Sequence, residues 1–171
     1  MAARESAGLL MYRWRANELE VLLGHPGGPY WIAKEDGAWS IPKGGVHDGE
    51  VPLDAAVREF TEETGFEPTA PYLALGRIVQ RSGKVVHAWA FEGDCDPSCI
   101  ASITTTTEWP PRSGRVISIP ELDRAAFFTL DEARRVINVA QAALLDRLRD
   151  ALTPASGIPA GPEGPAYGSK A

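Results

Sequence analysis

The stretch from Pro52 to Gly65 constrains the fold of this chain more than any other segment. Leu53, Ala56, Val57, Phe60 and Thr64 recur at i, i+3, i+4, i+7 and i+11, which places them on one arc of an α-helix. Pro52 suits the first helical turn, where its missing N–H costs nothing, and Gly65 suits the point where the chain must leave the helix. A helix with one apolar arc needs a surface to cover, and its neighbours in sequence have strand composition. Ala7 to Trp14 and Leu19 to Gly24, separated by a turn at Arg15 to Glu18, precede it. Tyr72 to Gln80 and Val85 to Glu92, joined by Arg81 to Lys84 as a hairpin, follow it, and Ala125 to Leu130 adds a further strand. Asp131 to Leu152 is rich in helix formers, with Val136, Ala140, Leu144, Leu145 and Leu148 on one side and a break near Asn138. The order implies an α/β fold with helices laid on a sheet.

Between these elements, His25 to Gly37 is dense in Gly and Pro and reads as a long loop bearing Tyr30 and Trp31. Trp39 to Pro42 reads as a short strand running into a loop at Lys43 to Gly49. Within Cys95 to Gly114, the Thr104 to Thr107 run favours a strand, and Pro110 and Pro111 end it in a loop. The chain of 171 residues, 44% of them hydrophobic, is expected to form one domain over residues 1–152. In the tail, residues 153–171, eight of the eighteen residues from Pro154 to Ala171 are Pro or Gly, a composition expected to be disordered.

Charge narrows the function. Seventeen basic against twenty-three acidic residues, a net charge of −6, argue against a protein that binds duplex nucleic acid through its backbone, so a small anionic substrate would need local cations or metals. Cys95 and Cys99 are too few for a disulfide framework, and the N-terminus lacks the apolar core of a secretory signal. No apolar run approaches the ~20 residues that cross a bilayer. The expectation is a cytoplasmic protein with no membrane partner.

Glu59, Glu62 and Glu63 share a second arc of the Pro52 helix, within one turn of each other, and repel unless something cationic intervenes. A hard divalent cation is the natural relief: Mg²⁺ prefers oxygen ligands and combines a few carboxylates with waters and substrate phosphates. Arg58 beside them can hold a carboxylate in place. A solvated acidic face is the plainer reading of such glutamates, and the surroundings decide against it.

Gly44, Glu50, Arg58, Glu59, Phe60, Glu62, Glu63, Gly65 and Phe66 stand as G, five residues, E, seven residues, R-E-F-T-E-E-T-G-F. This resembles the Nudix box of the Nudix hydrolase superfamily at every defining position, and with H-P-G-G-P at His25 and W-P-P-R-S-G at Trp109 the chain looks like the bacterial NTP pyrophosphohydrolases of that superfamily. The resemblance implies an α/β/α sandwich with a mixed central sheet, and a Mg²⁺-dependent hydrolase, Mn²⁺ serving as substitute, that cleaves the diphosphate linkage of a nucleoside diphosphate derivative by attack of water on phosphorus. It implies Glu59 and Glu63 as principal metal ligands, Glu62 as a further ligand or the base, and the Gly44 carbonyl as another oxygen donor, while Glu50 and Arg58 support the loop and helix.

W-S-I-P-K-G at Trp39 to Gly44 resembles family members acting on nucleoside polyphosphates, which makes Trp39 and Lys43 substrate-binding candidates and a nucleoside triphosphate or dinucleoside polyphosphate the expected small-molecule partner. Arg81 to Lys84 occupy the interval where ADP-ribose enzymes carry a proline and many diadenosine polyphosphate enzymes a tyrosine, and neither residue is there. A later carboxylate sometimes joins the metal site in this superfamily, and Glu108 is the candidate; Arg112 is a candidate for phosphate and Trp109 for stacking on a base. The alternative function is a catalytically silent nucleotide-sensing or scaffold module with the same fold. His25, His47 and His87 are scattered through different elements, and Cys95 and Cys99 lack a second ligand pair, so neither set reads as a zinc or triad site.

Overall fold

The computed structural model describes residues 4–153. Eight strands and three α-helices follow in the order β1 (Glu5–Arg15), β2 (Glu18–Pro26), β3 (Lys43–Gly45), α1 (Pro52–Thr64), β4 (Leu73–Val79), β5 (Val85–Glu92), β6 (Thr104–Glu108), β7 (Val116–Pro120), β8 (Leu122–Thr129), α2 (Leu130–Val136) and α3 (Ala142–Leu152). The main sheet has the order β4-β5-β1-β2-β8, with β3 also paired to β1, and β6 and β7 form a separate two-stranded sheet. Only the β1–β5 pair is parallel among the described strands, so the sheet is mixed.

Strands β1, β2 and β5 read as near-continuous apolar runs because both their faces are covered. Ala7, Leu9 and Met11 of β1, Leu22 of β2 and Phe91 of β5 pack with Ala55, Ala56 and Phe60 of α1. Leu10, Val21, Leu23, Val86, Ala88 and Ala90 face the opposite way, onto Ala133 and Val136 of α2 and Leu144, Leu145 and Leu148 of α3. The period of two along each strand therefore sorts the side chains into two cores, one under each helical layer. This is the α/β/α sandwich expected from the sequence. No helix among the described residues is long and apolar enough to cross a membrane.

The turn between β1 and β2 closes tightly because Ala16 and Asn17 both take positive φ, at 52° and 66°, the twist that suits a two-residue hairpin. The last helical segment breaks at Ile137 and Asn138, where the Asn138 side chain accepts from the Ala140 N–H and starts a short 3₁₀ turn before α3.

Three boundaries differ from the sequence reading. Lys43–Gly45, expected as loop, is a strand paired to β1, whereas Trp39 and Ser40, expected as strand, make only isolated bridges. The Arg115–Arg124 stretch carried no assignment, yet Val116–Pro120 is the partner of β6, with Thr106 opposite Ser118. Strand β8 begins at Leu122, ahead of Ala125. β3 and β8 pair with segments distant in sequence, which local composition does not report, whereas β7 pairs across a hairpin and is a short strand with no buried residue. The proposed tail from Pro154 onward lies outside the described residues.

Candidate active site

Helix α1 is entered through Pro52 in its first turn and closed by Gly65 at φ +82°, whose N–H returns to the Thr61 carbonyl at 2.8 Å. With Ala55, Ala56 and Phe60 sunk into the sheet, the arc bearing Glu59, Glu62 and Glu63 is turned toward β3 and the loop that follows it. Arg58 ties this arc to the loop. Its Nε and Nη2 donate to both oxygens of Glu50 at 3.0 Å, Nη2 also reaches the Gly45 carbonyl at 2.9 Å, and Nη1 donates to Glu59 at 2.8 Å and to Glu62 at 3.4 Å. Such a bidentate fork fixes orientation as well as charge. The Arg58 guanidinium, helped by the His47 backbone N–H, holds the Glu50 carboxyl down to about 2.

Glu63 is only 7% exposed, and its carboxylate accepts from the Lys43 backbone N–H at 3.3 Å. Burial pushes its carboxyl up to about 8, against the opposing pull of Lys43. Burial also raises Glu59, opposed by its bond to Arg58. Gly44 lies directly against that carboxylate: a Cβ there would stand 2.0 Å from Glu59 Oε1, so any side chain would displace the carboxylate from its present place. Gly44 and Glu63 open onto a cavity of about 580 Å³ lined also by Lys43, Glu121, Lys84, Arg4 and Glu5, among others.

Glu121, which the sequence reading did not single out, lines the same cavity. It links β7 to β8, its N–H bonds to the Ile103 carbonyl at 2.9 Å, its carbonyl accepts from Gly27 at 3.2 Å, and its charge acts on Glu59, Glu63 and Lys43 alike. Glu108 does not join the cluster. It ends β6, is exposed, and its Oε2 accepts from the Gly114 N–H at 2.7 Å. The two glutamates sit at opposite ends of the β6–β7 hairpin, Glu108 at its tip end and Glu121 just past its base, where Leu122 pairs with Pro26 of β2. An acidic residue at a strand-to-strand junction after Ile119-Pro120 was the available signal.

The remaining candidates divide. Lys43 lines the cavity with the glutamates. Trp39 does not offer a face to substrate: it is 2% exposed, its indole N–H donates to Glu35 at 3.1 Å, and its ring packs edge-on against His25 and Phe128. Its hydrophobic sequence neighbours Ile41 and Ala38 are buried in the same core. Trp109 lines a separate cavity of about 220 Å³ with Tyr30, Trp31 and Glu108, and Arg112 stands exposed at the hairpin tip at φ +60°.

Among the described residues no three acidic, His or Cys side chains are already gathered around one point that could hold an ion, and the Arg58 guanidinium bonds both Glu59 and Glu62. The donor chemistry nonetheless suits a hard divalent cation, since every group involved is a carboxylate or carbonyl oxygen. A buried carboxyl held up near 8 is also a group that a cation would draw into its charged form.

A family model described as NUDIX domain matches residues 4–148. An RNA pyrophosphohydrolase of Francisella philomiragia is 43% identical over 56 residues, 32% of this chain and 36% of that protein. Nudix hydrolase 25 of Arabidopsis thaliana is 62% identical over 29 residues, 17% of each chain. The matched region thus spans about a third or less of these curated relatives. The Ap4A hydrolase of C. elegans in a binary complex superposes with a TM-score of 0.60 at 22% identity, covering 88% of this chain and 98% of that one. The NUDIX domain of Shewanella oneidensis NrtR, complexed with ADP ribose, gives 0.62 at 15% identity, covering 90% of each. At these identities the structural likenesses show the fold.

Proposed function

The chain belongs to the NUDIX family, and on that premise we propose that it is a cytoplasmic, Mg²⁺-dependent hydrolase that cleaves the diphosphate linkage of a nucleoside triphosphate or dinucleoside polyphosphate by attack of water on phosphorus. The observation that carries this reading is the buried Glu63 carboxyl in the wall of an open cavity that Gly44 and Glu121 also line, with the Glu59 carboxylate packed against Gly44. Burying a carboxylate is costly unless a cation or proton compensates, so a buried carboxyl facing an open cavity suits a cation.

In this reading Glu59, Glu62, Glu63 and the Gly44 carbonyl hold the Mg²⁺, for which Mn²⁺ substitutes, and Glu121 takes the place first expected of Glu108. A divalent cation there supplies charge neutralisation for the phosphates and a more acidic water. Glu62, the more exposed of the box glutamates at 37% of its side chain and held only by Arg58, accepts the proton of the attacking water. Arg58 keeps Glu59 and Glu62 aimed, and Lys43 meets phosphate charge. Trp109, with Tyr30 and Trp31, offers an aromatic surface for a base beside the Pro26–Gly27 turn that separates the two cavities.

The names of the relatives, RNA pyrophosphohydrolase and Ap4A hydrolase, support a diphosphate-linked nucleotide as the substrate class. The test is product analysis in ¹⁸O-water across nucleoside triphosphates, dinucleoside polyphosphates, ADP-ribose and other nucleoside diphosphate conjugates. The reading expects one preferred substrate and label on a phosphate product. Silence across the panel, with nucleotide binding intact, favours the sensing module instead.

A further inference from the structure

The segment between β5 and β6 crosses the end of α1, and residues 101–103 bind that helix to the β7–β8 junction. The Ala101 N–H donates to the Thr64 carbonyl at 2.9 Å and the Ile103 N–H to the Glu62 carbonyl at 3.0 Å. The segment thereby takes up two of the carbonyls that the end of a helix leaves without partners. Ala101 also packs on the Gly65 cap, where an added Cβ would stand 3.0 Å from the Ala101 Cβ. On its other side the segment meets the junction that carries Glu121. The Ile103 carbonyl accepts from the Glu121 N–H at 2.9 Å. The Ser102 hydroxyl accepts from the Leu122 N–H at 3.0 Å and donates to the Ile103 carbonyl at 3.1 Å. Ile103 is thus hydrogen-bonded to the backbone of Glu62 at one end and to the backbone of Glu121 at the other.

Glu121 is gripped from β2 as well. Its carbonyl accepts from the Gly27 N–H at 3.2 Å, and Gly27 comes so near that a Cβ there would stand 2.1 Å from the Pro120 carbonyl oxygen. The β2–β8 ladder shifts register between His25 and Pro26 and stops at Leu122, so the peptide groups on either side of Glu121 depend on these bonds for their place. Three of the four partners are backbone groups. The fourth is the hydroxyl of half-buried Ser102, the one link that a substitution can remove while leaving the main chain intact. Removing it strands the Leu122 N–H in a part-buried setting, a loss that favours movement of the junction.

We propose that Ser102 is a positioning residue for Glu121: together with the Ile103 backbone, its hydroxyl locks the β7–β8 junction to the end of α1 and so holds the Glu121 carboxylate in place relative to the carboxylates of that helix. The inference rests on the hydrolase reading above, in which Glu121 serves the cation, and adds how a carboxylate from a distant part of the chain is held to the helix that bears the others. Groups that orient a metal ligand matter nearly as much as the ligand, because a cation tolerates little error in where its oxygens stand.

Mn²⁺ binding to the full chain, followed by electron paramagnetic resonance without substrate, tests this apart from turnover. Ser102→Ala should weaken Mn²⁺ binding about 10-fold, whereas Ser102→Thr, which keeps a hydroxyl, should stay within about threefold of wild type. Glu121→Gln should also weaken it at least about 10-fold, and the double variant should bind no more weakly than Glu121→Gln alone, since Ser102 then has no ligand left to position. A merely structural role gives a different pattern: Tm falls in Ser102→Ala while Mn²⁺ affinity holds, or the two losses add. Should Ser102→Ala fold poorly, Ser102→Val against Ser102→Thr, alike in shape and different in the hydroxyl, makes the same comparison. Unchanged affinity in the hydroxyl-free variant, or additive losses, overturns the role of Ser102. Unchanged affinity in Glu121→Gln removes Glu121 from the cation and the inference with it. Failure of the hydrolase reading looks different: the Mn²⁺ affinities keep the expected pattern while no panel substrate turns over.

Discussion

Glu63 is a carboxyl almost shut off from water, and two consequences follow from that placement. Burial lifts it to about 8, so the folded state holds a proton that the unfolded chain releases near its ordinary value of ~4.3. Between those values the native state binds more protons than the unfolded one, and metal-free stability therefore falls as pH rises from about 4.3 to about 8. Glu63→Gln should flatten that slope in a chelator-treated denaturation series. The same proton must leave when a cation binds, so calorimetry in buffers of different ionisation enthalpy should find close to one proton released per Mg²⁺ below pH 8, and none in the variant. Gly44 makes a contrasting prediction. A methyl there meets only the tip of Glu59, which can swing aside, so Gly44→Ala should leave Tm within a few degrees while kcat falls at least about 10-fold, because the displaced carboxylate no longer sits where it is needed. A large loss of Tm with normal kcat would show that the close approach serves packing instead.

At the scale of elements, α1 does two jobs with two arcs, and its anchoring can be measured apart from its chemistry. Phe60 is fully buried and meets Phe91 edge-on at 5.2 Å between ring centroids, so Phe60→Ala should cost about 3–5 kcal/mol in urea denaturation. This arc was legible in the sequence because its period is local, as were the Gly65 cap, the β1–β2 turn and the break at Asn138. The spacing that singled out Gly44, Glu59 and Glu63 corresponds to closeness in the fold, Glu59 lying against Gly44 and Glu63 accepting from the Lys43 N–H. Trp39, expected to meet substrate, is instead sealed between His25 and Phe128, which lie on segments far apart in the chain that local sequence does not bring together. Glu121 was not singled out because the β2–β8 pairing beside it joins residues distant in sequence, and β7 because it is short with no buried residue to mark it. The correction is itself testable, since Glu121→Gln should lower kcat at least about 10-fold and Glu108→Gln, remote from the cluster, should leave it within about twofold. The opposite order would restore Glu108.

The whole molecule places its chemistry at one end of the sheet. The start of β1, the end of β2, the start of β5 and the start of β8 all reach the same cavity, and α1 supplies the carboxylates from above β3. Two cores pack the sheet, one under α1 and one under α2 and α3. A formal net charge of −6 makes local cations at that cavity, Lys43 among them, necessary, because the protein as a whole repels the anion it is proposed to bind. The central claim is that the buried glutamates form a cation-dependent hydrolytic site. The most direct measurement is turnover of the preferred panel substrate against Mg²⁺ concentration, in wild type and Glu63→Gln, with a chelator control and a thermal melt of each protein. The account predicts turnover that rises with Mg²⁺, vanishes in chelator, and drops at least about 10²-fold in a folded Glu63→Gln. Turnover that persists in chelator, or a Glu63→Gln protein as active as wild type, would contradict it.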